Sequence, residues 1–220
     1  MRRTDMDRDR ILAWVRAERL SLADLFDDLD EREWATPSLC EAWTMHELAA
    51  HVTTSTRTTL AGMIKGAIRA RGDFERWGAD EARELAARYT PAELVAQIRE
   101  TAGSARRAPL AAPLDPLVDA LVHGQDVARP LGRERAMPIE PALAALEHVL
   151  RSPFYGARKR FRGIRLVATD ARWSAGPGPD EVRGPTGDLL LLATGRPAGL
   201  AALSGPGRER VAATLPGAAR

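Results

Sequence analysis

The strongest constraint on this chain is a helical period that recurs, with its own start signals, through the first two thirds of the sequence. From Asp5 to Leu29 the apolar residues Ile11, Leu12, Val15, Leu22, Leu25, Phe26 and Leu29 return at three- and four-residue spacing, with acids and arginines between them. That pattern predicts an amphipathic helix. A loop with turn residues Pro37 and Ser38 follows. Thr44-Met45-His46-Glu47 then has the form of a capping box, in which a hydroxyl and a glutamate satisfy the first free N–H groups, and it predicts a second helix running to about Ala70. Gly72 to Gly78 breaks the pattern. Thr90-Pro91-Ala92-Glu93 opens a third helix, with proline at a position where its missing N–H costs nothing, continuing to about Arg107. A fourth is expected between Pro113 and Pro130, over Leu114 to Arg129, and a fifth over Glu140 to Leu150. Several antiparallel-capable amphipathic helices argue for a bundle.

After Pro153 the character changes. Gly163 to Thr169 is β-branched enough for a strand. Gly176 to Gly187 is dense in glycine and proline, with Val182 its only strand-like residue. Asp188 to Thr194 and Leu200 to Leu203 read as short helices ending at Gly195 and Gly205. The expected organisation is a helical bundle over 1–152 and a small α+β module over 153–220.

Composition narrows the function classes. Apolar residues make up 45% and charged residues 28% of the 220, an ordinary globular balance. The longest wholly apolar runs, such as Leu189 to Ala193, are far too short to span a bilayer. The first ten residues are charged throughout, which predicts no secretory signal. A single cysteine, Cys40, excludes an internal disulfide framework and fits a reducing cytoplasm. The 32 basic residues are spread among 30 acidic ones, for a net charge of +2, which is no electrostatic footprint for nucleic acid. Oligomeric state is not legible in the chain.

Chemistry is expected where histidine meets carboxylate. Of the four histidines, His123 lies on the fourth helix with Asp119 one turn before it and Asp126 three residues after, all on one helical face. An aspartate and an imidazole one turn apart can bind one cation. A further imidazole from a facing helix, such as His51, would complete a three-ligand site that leaves a fourth position open, the catalytic rather than the structural pattern. Such pairs are more commonly surface hydrogen bonds, but Leu117, Val118, Leu121 and Val122 place His123 near the core face. Gly124 sits mid-helix at a cost of about 1 kcal/mol against alanine, which points to a close approach. His46 and His148 read as solvated. Cys40, with a glutamate beside it and no evident cation, reads as a loop-packing residue rather than a nucleophile. The five tryptophans read mainly as core. No nucleotide-binding or serine-hydrolase motif is present.

Two stretches carry a resemblance: W-x-x-P-S-x-C-x-x-W-T-M-H-E-L-A-A-H-V (Trp34 to Val52) and D-A-L-V-H-G-Q-D-V-A-R-P-L-G-R (Asp119 to Arg133). The tail adds R-L-V-A-T-D (Arg165 to Asp170), W-S (Trp173, Ser174), G-D-L-L-L-L-A-T-G-R (Gly187 to Arg196) and L-S-G-P-G (Leu203 to Gly207). In this order and spacing they resemble the mycothiol-dependent maleylpyruvate isomerase family, a branch of the DinB-like metal-binding four-helix bundles. The resemblance implies a mainly α fold, a DinB-like bundle followed by the small module. It also implies zinc or another divalent metal held by His51, Asp119 and His123, with aspartate standing where the isomerase is expected to carry glutamate. Asp126 and Glu47 become candidate supports for the ligands, and Arg196 a candidate catalytic cation for an anionic substrate. The implied chemistry is addition of a mycothiol-like thiolate to a small electrophile, released after bond rotation in an isomerase or retained in an S-transferase. A metal- or ligand-binding protein without turnover, a sensor or carrier, is the alternative.

Overall fold

A computed structural model describes residues 8–40, 43–69, 71 and 73–215. The chain divides into two compact units, Met1–Arg135 and Ala136–Arg220.

The first unit is built on four helices: α1 (Arg8–Asp27), α3 (Met45–Thr54), α6 (Pro91–Thr101) and α7 (Asp115–Ala128), with a short α2 (Glu31–Trp34) after the first and a side pair, α4 (Leu60–Arg69) and α5 (Phe74–Ala86). Helix α1 packs on α6 and α7, and α3 packs on the same two, which closes a four-helix ring. The expected faces are the buried ones: Ile11, Val15, Leu22 and Phe26 on α1, and Leu94, Val95 and Ile98 on α6. The start of the first helix, predicted at Asp5, lies outside the described residues, as do the far limit of the second, Ala70, and Gly72. Both capping boxes form. Thr44 Oγ1 accepts from the N–H of Glu47 while Glu47 takes the N–H of Thr44, and Thr90 and Glu93 do the same for α6.

The second predicted helix is in fact two. Helix α3 stops at Thr54 because the hydroxyls of Thr53, Thr54, Ser55 and Thr58 donate to carbonyls three or four residues back. Hydroxyls that compete for the ladder in this way weaken a helix. The segment from Gly72 to Gly78, expected as a break, mostly enters α5, whose start is capped by the Asp73 carboxylate accepting from the N–H of Arg76.

The mid-helix glycine also has its explanation. A Cβ on Gly124 would overlap Nε and Cδ of Arg135, whose guanidinium is anchored on Ser21 Oγ at 2.9 Å and Glu18 Oε2 at 3.3 Å. Glu18 and Arg135 form a largely buried pair, and burial holds the Glu18 carboxyl above its ordinary value even though Arg135 pulls it down. Gly124→Ala gains about 1 kcal/mol of helix propensity but displaces Arg135 from a nearly solvent-free pair. We expect a net loss of about 1–3 kcal/mol in a denaturant melt; an unchanged midpoint would show that Arg135 moves aside freely.

The second unit holds α8 (Ile139–Arg151), α9 (Ala157–Arg160), a three-stranded sheet, α10 (Thr186–Ala193), a 3₁₀ turn (Pro197–Ala202) and α11 (Arg208–Ala212). The expected strand is β1 (Ile164–Ala168). It lies between β2 (Ser174–Ala175), antiparallel, and β3 (Asp180–Gly184), parallel with Leu166 opposite Val182. The glycine-rich stretch therefore contains a strand, β3, around the single residue Val182 that signalled one. The helical period places α8 in the bundle, but its apolar face, with Ala142, Ala145, Leu146 and Val149, packs on α10, which is buried at every residue but Gly187. An amphipathic pattern states that a face is buried, not against what. Asp170 takes the N–H and hydroxyl of Thr186 at the start of α10, and Gly195, at φ +87°, follows the end of that helix as expected. Among the described residues no helix is long and apolar enough to cross a membrane.

Candidate metal centre

Two facing helices supply the site. The capping box fixes where α3 begins, and His51 follows two turns in. Helix α7 presents Asp119 and His123 one turn apart, then Asp126. Ligand atoms of His51, Asp119 and His123 all lie within 4.8 Å of one another. The Asp119 carboxylate is 3.3 Å from His123 Nε2 and 3.9 Å from His51 Nε2, and the two imidazoles meet edge to face with centroids 5.1 Å apart. Ligands of a tetrahedral zinc with bonds of about 2.0–2.1 Å stand roughly 3.3 Å apart. Two nitrogens and one carboxylate oxygen at these separations fit such an ion with modest adjustment and leave a position open.

Asp126 is fully buried, and its Oδ2 accepts from His123 Nδ1 at 2.9 Å. A carboxylate can only accept, so Nδ1 carries the proton and Nε2 faces Asp119 with its lone pair when the ring is neutral. Asp126 therefore holds the ring nitrogen of His123 opposite the one that faces Asp119. Glu47 is engaged otherwise: besides capping α3, it sits 3.7 Å from Arg83 Nε. Arg196 lies in the second unit, where its Nη1 donates to the Thr194 carbonyl.

The electrostatics follow from burial among charges. Burial pushes the Asp119 carboxyl up, but His123, His51 and Arg19 together bring it below its ordinary value. Burial opposes charge on His123, yet Cys40 once ionised, Asp119 and Asp126 more than offset it and hold the imidazole well above the usual 6.5. The raised pKa favours the protonated ring in the metal-free protein, and a metal taking Nε2 must displace that proton. Zinc affinity is expected to rise with pH, by up to about tenfold per unit below the raised pKa, with proton release from His123 on binding. Titrations in buffers of different ionisation enthalpy measure this directly. For the metal-free protein the sign is opposite: the raised pKa contributes stability fully present below the unfolded value near 6.5, lost as pH rises through the folded one.

Three neighbours were not foreseen. Cys40 does not merely pack its loop: its Sγ lies 3.1 Å from Asp126 Oδ2 and 3.6 Å from His123 Nδ1. Trp43 stacks at a tilt on His51, centroids 4.6 Å apart. Arg19, 3% exposed, donates to Ser55 Oγ and to the carbonyls of Thr101 and Ser104 while pulling on Asp119. The signal for the first two lay in the stretch P-S-x-C-x-x-W-T, which marks the loop but not its partner. His46 is bound rather than solvated, with Nε2 2.9 Å from the Tyr89 carbonyl.

A helical bundle in which two facing helices bring together two imidazoles and a carboxylate is the class that fold and site define. The chain belongs to the mycothiol maleylpyruvate isomerase family: residues 15–140 match the family model for the mycothiol maleylpyruvate isomerase N-terminal domain, a span that includes every residue of the cluster. The architecture is similar to two crystal structures of the mycothiol-dependent maleylpyruvate isomerase, in each case over 92% of this chain and 94% of the other. One, of a histidine-to-alanine mutant, has a TM-score of 0.64 at 14% identity, and the second a TM-score of 0.51 at 16%. At such identities the likeness is one of fold, the mainly helical DinB-like architecture with a small C-terminal sheet. No curated protein matches by sequence.

Proposed function

We propose that this protein is a metal-dependent cytoplasmic enzyme that uses mycothiol, or a thiol like it, to isomerise maleylpyruvate or a similar small unsaturated acid, or to transfer the thiol to such an electrophile. The observation that carries this reading is the convergence of His51, Asp119 and His123 within 4.8 Å, inside the segment that matches the family. Zinc is the metal that suits this donor set, and when bound there it would hold a coordinated thiol as the thiolate at neutral pH. Asp119 brings the negative charge that a divalent ion requires. Asp126 keeps the His123 proton on Nδ1, and the Trp43 ring lies against His51 and limits its rotation.

The test is conversion of maleylpyruvate from cis to trans by zinc-loaded protein with and without mycothiol, followed spectroscopically. Turnover should require both, and Asp119→Ala should lower it by more than about a hundredfold, beyond what loss of a ligand's hydrogen-bond support alone costs. Zinc-loaded wild-type protein that converts neither maleylpyruvate nor other cis-unsaturated acids would exclude an isomerase. Activity that survives a chelator would exclude the metal.

A further inference from the structure

We propose that Cys40 is a positioning residue whose thiol orients Asp126 and, through it, the imidazole of His123. The inference rests on the reading of His123 as a metal ligand and adds a residue to that machinery. Asp126 Oδ2 accepts both His123 Nδ1–H, at 2.9 Å, and the Cys40 thiol, at 3.1 Å. The carboxylate is 0% exposed, so rotation about its terminal torsion, which is intrinsically broad, is limited by its donors and packing rather than by water.

The loop is built to hold that sulfur in place. Leu39 N–H donates to the backbone carbonyl of Asp126 at 3.1 Å, which ties the loop directly to α7. Cys40 N–H donates to Ser38 Oγ at 3.2 Å, the Ser38 hydroxyl donates to the Trp43 carbonyl at 2.9 Å, and Trp43 N–H closes on the Cys40 carbonyl at 3.1 Å. The same short loop thus carries Cys40 against the Asp126–His123 pair and Trp43 against His51, so it sets one side chain behind each histidine.

The cluster of Cys40, His123 and Asp126 could also be read as a cation site of its own. The distances argue otherwise. A separation of 2.9 Å between Nδ1 and Oδ2 is a hydrogen bond and is shorter than the roughly 3.3 Å kept by two ligands of one tetrahedral zinc. A chain of donors, thiol to carboxylate and imidazole to the same carboxylate, accounts for all three atoms.

The experiment compares Cys40→Ser, which keeps a hydroxyl donor, with Cys40→Val and Cys40→Ala, which remove it, each checked for a native melting profile. Two readouts are taken: the hydrogen-bonded Nδ1 proton of His123, seen by NMR in metal-free protein, and zinc affinity by competition with a chromophoric chelator. We expect the serine variant to keep the downfield proton and to bind zinc within about threefold of wild type. The valine and alanine variants should lose or shift that proton and bind zinc about tenfold more weakly, the lower end of the effect of removing a ligand's support. A valine variant that behaves as wild type would reduce Cys40 to packing and overturn the proposal. So would a thiolate-to-cobalt charge-transfer band in cobalt-loaded wild-type protein, which would make Cys40 a ligand. If wild type binds no zinc, the metal reading fails by itself, and the proton resonance alone decides whether Cys40 positions Asp126 and His123.

Discussion

His51→Ala and His123→Ala are both expected to empty the metal centre, with zinc affinity falling by more than about a hundredfold, but only the second should also destabilise the metal-free fold. A ligand's supporting hydrogen bond is worth ten- to a hundredfold in affinity, and the ligand itself more. The asymmetry comes from what each side chain leaves behind. The His51 side chain is 26% exposed, and its loss opens a partly wet gap beside Trp43. The His123 side chain is 8% exposed and donates from Nδ1 to Asp126, which has no exposure at all. Without the imidazole that carboxylate stays buried with one of its hydrogen-bond donors gone, at a cost of about 3 kcal/mol. Metal content by mass spectrometry and thermal unfolding in the presence of a chelator separate the two effects. One zinc retained per chain in His51→Ala would remove α3 from the site. Equal melting of both variants would mean that Asp126 is neutral in the fold.

The second large effect is on the scaffold. Phe26→Ala is expected to cost about 3–5 kcal/mol, the range for deleting a large aromatic side chain from a packed interior. Phe26 is wholly buried on α1, stacks on Trp34 at 5.6 Å with planes 15° apart, and belongs to the core that includes Met45, Leu48, Ala49 and Val52 of α3. Those residues occupy the inner face of the helix that carries His51. The variant should therefore lose metal affinity as well as stability, although Phe26 touches no ligand. Chemical denaturation measures the first and chelator competition the second. A loss below about 1 kcal/mol would mean the core collapses around the gap.

The parts that could be read from the chain are those in which cause and effect lie within a turn or two. Thr44 with Glu47 and Thr90 with Glu93 are local hydrogen-bond exchanges, and they form where their spacing states. Asp119, His123 and Asp126 share a face because the helical period places them there. The hydroxyl-rich run after His51 ends α3 by an equally local mechanism. Its signal was in the sequence but was overridden by the continuing apolar pattern.

Local spacing is enough to define the helical faces, their start signals and the acid–histidine pair on α7. Long-range packing sets the rest: α8 against α10, His51 of α3 turned toward Asp119, and Cys40 against Asp126 across 86 positions of chain. The physical reason is that periodicity specifies which residues leave water and says nothing about which buried face they meet. That choice is made by shape and by hydrogen-bond satisfaction between segments far apart in sequence.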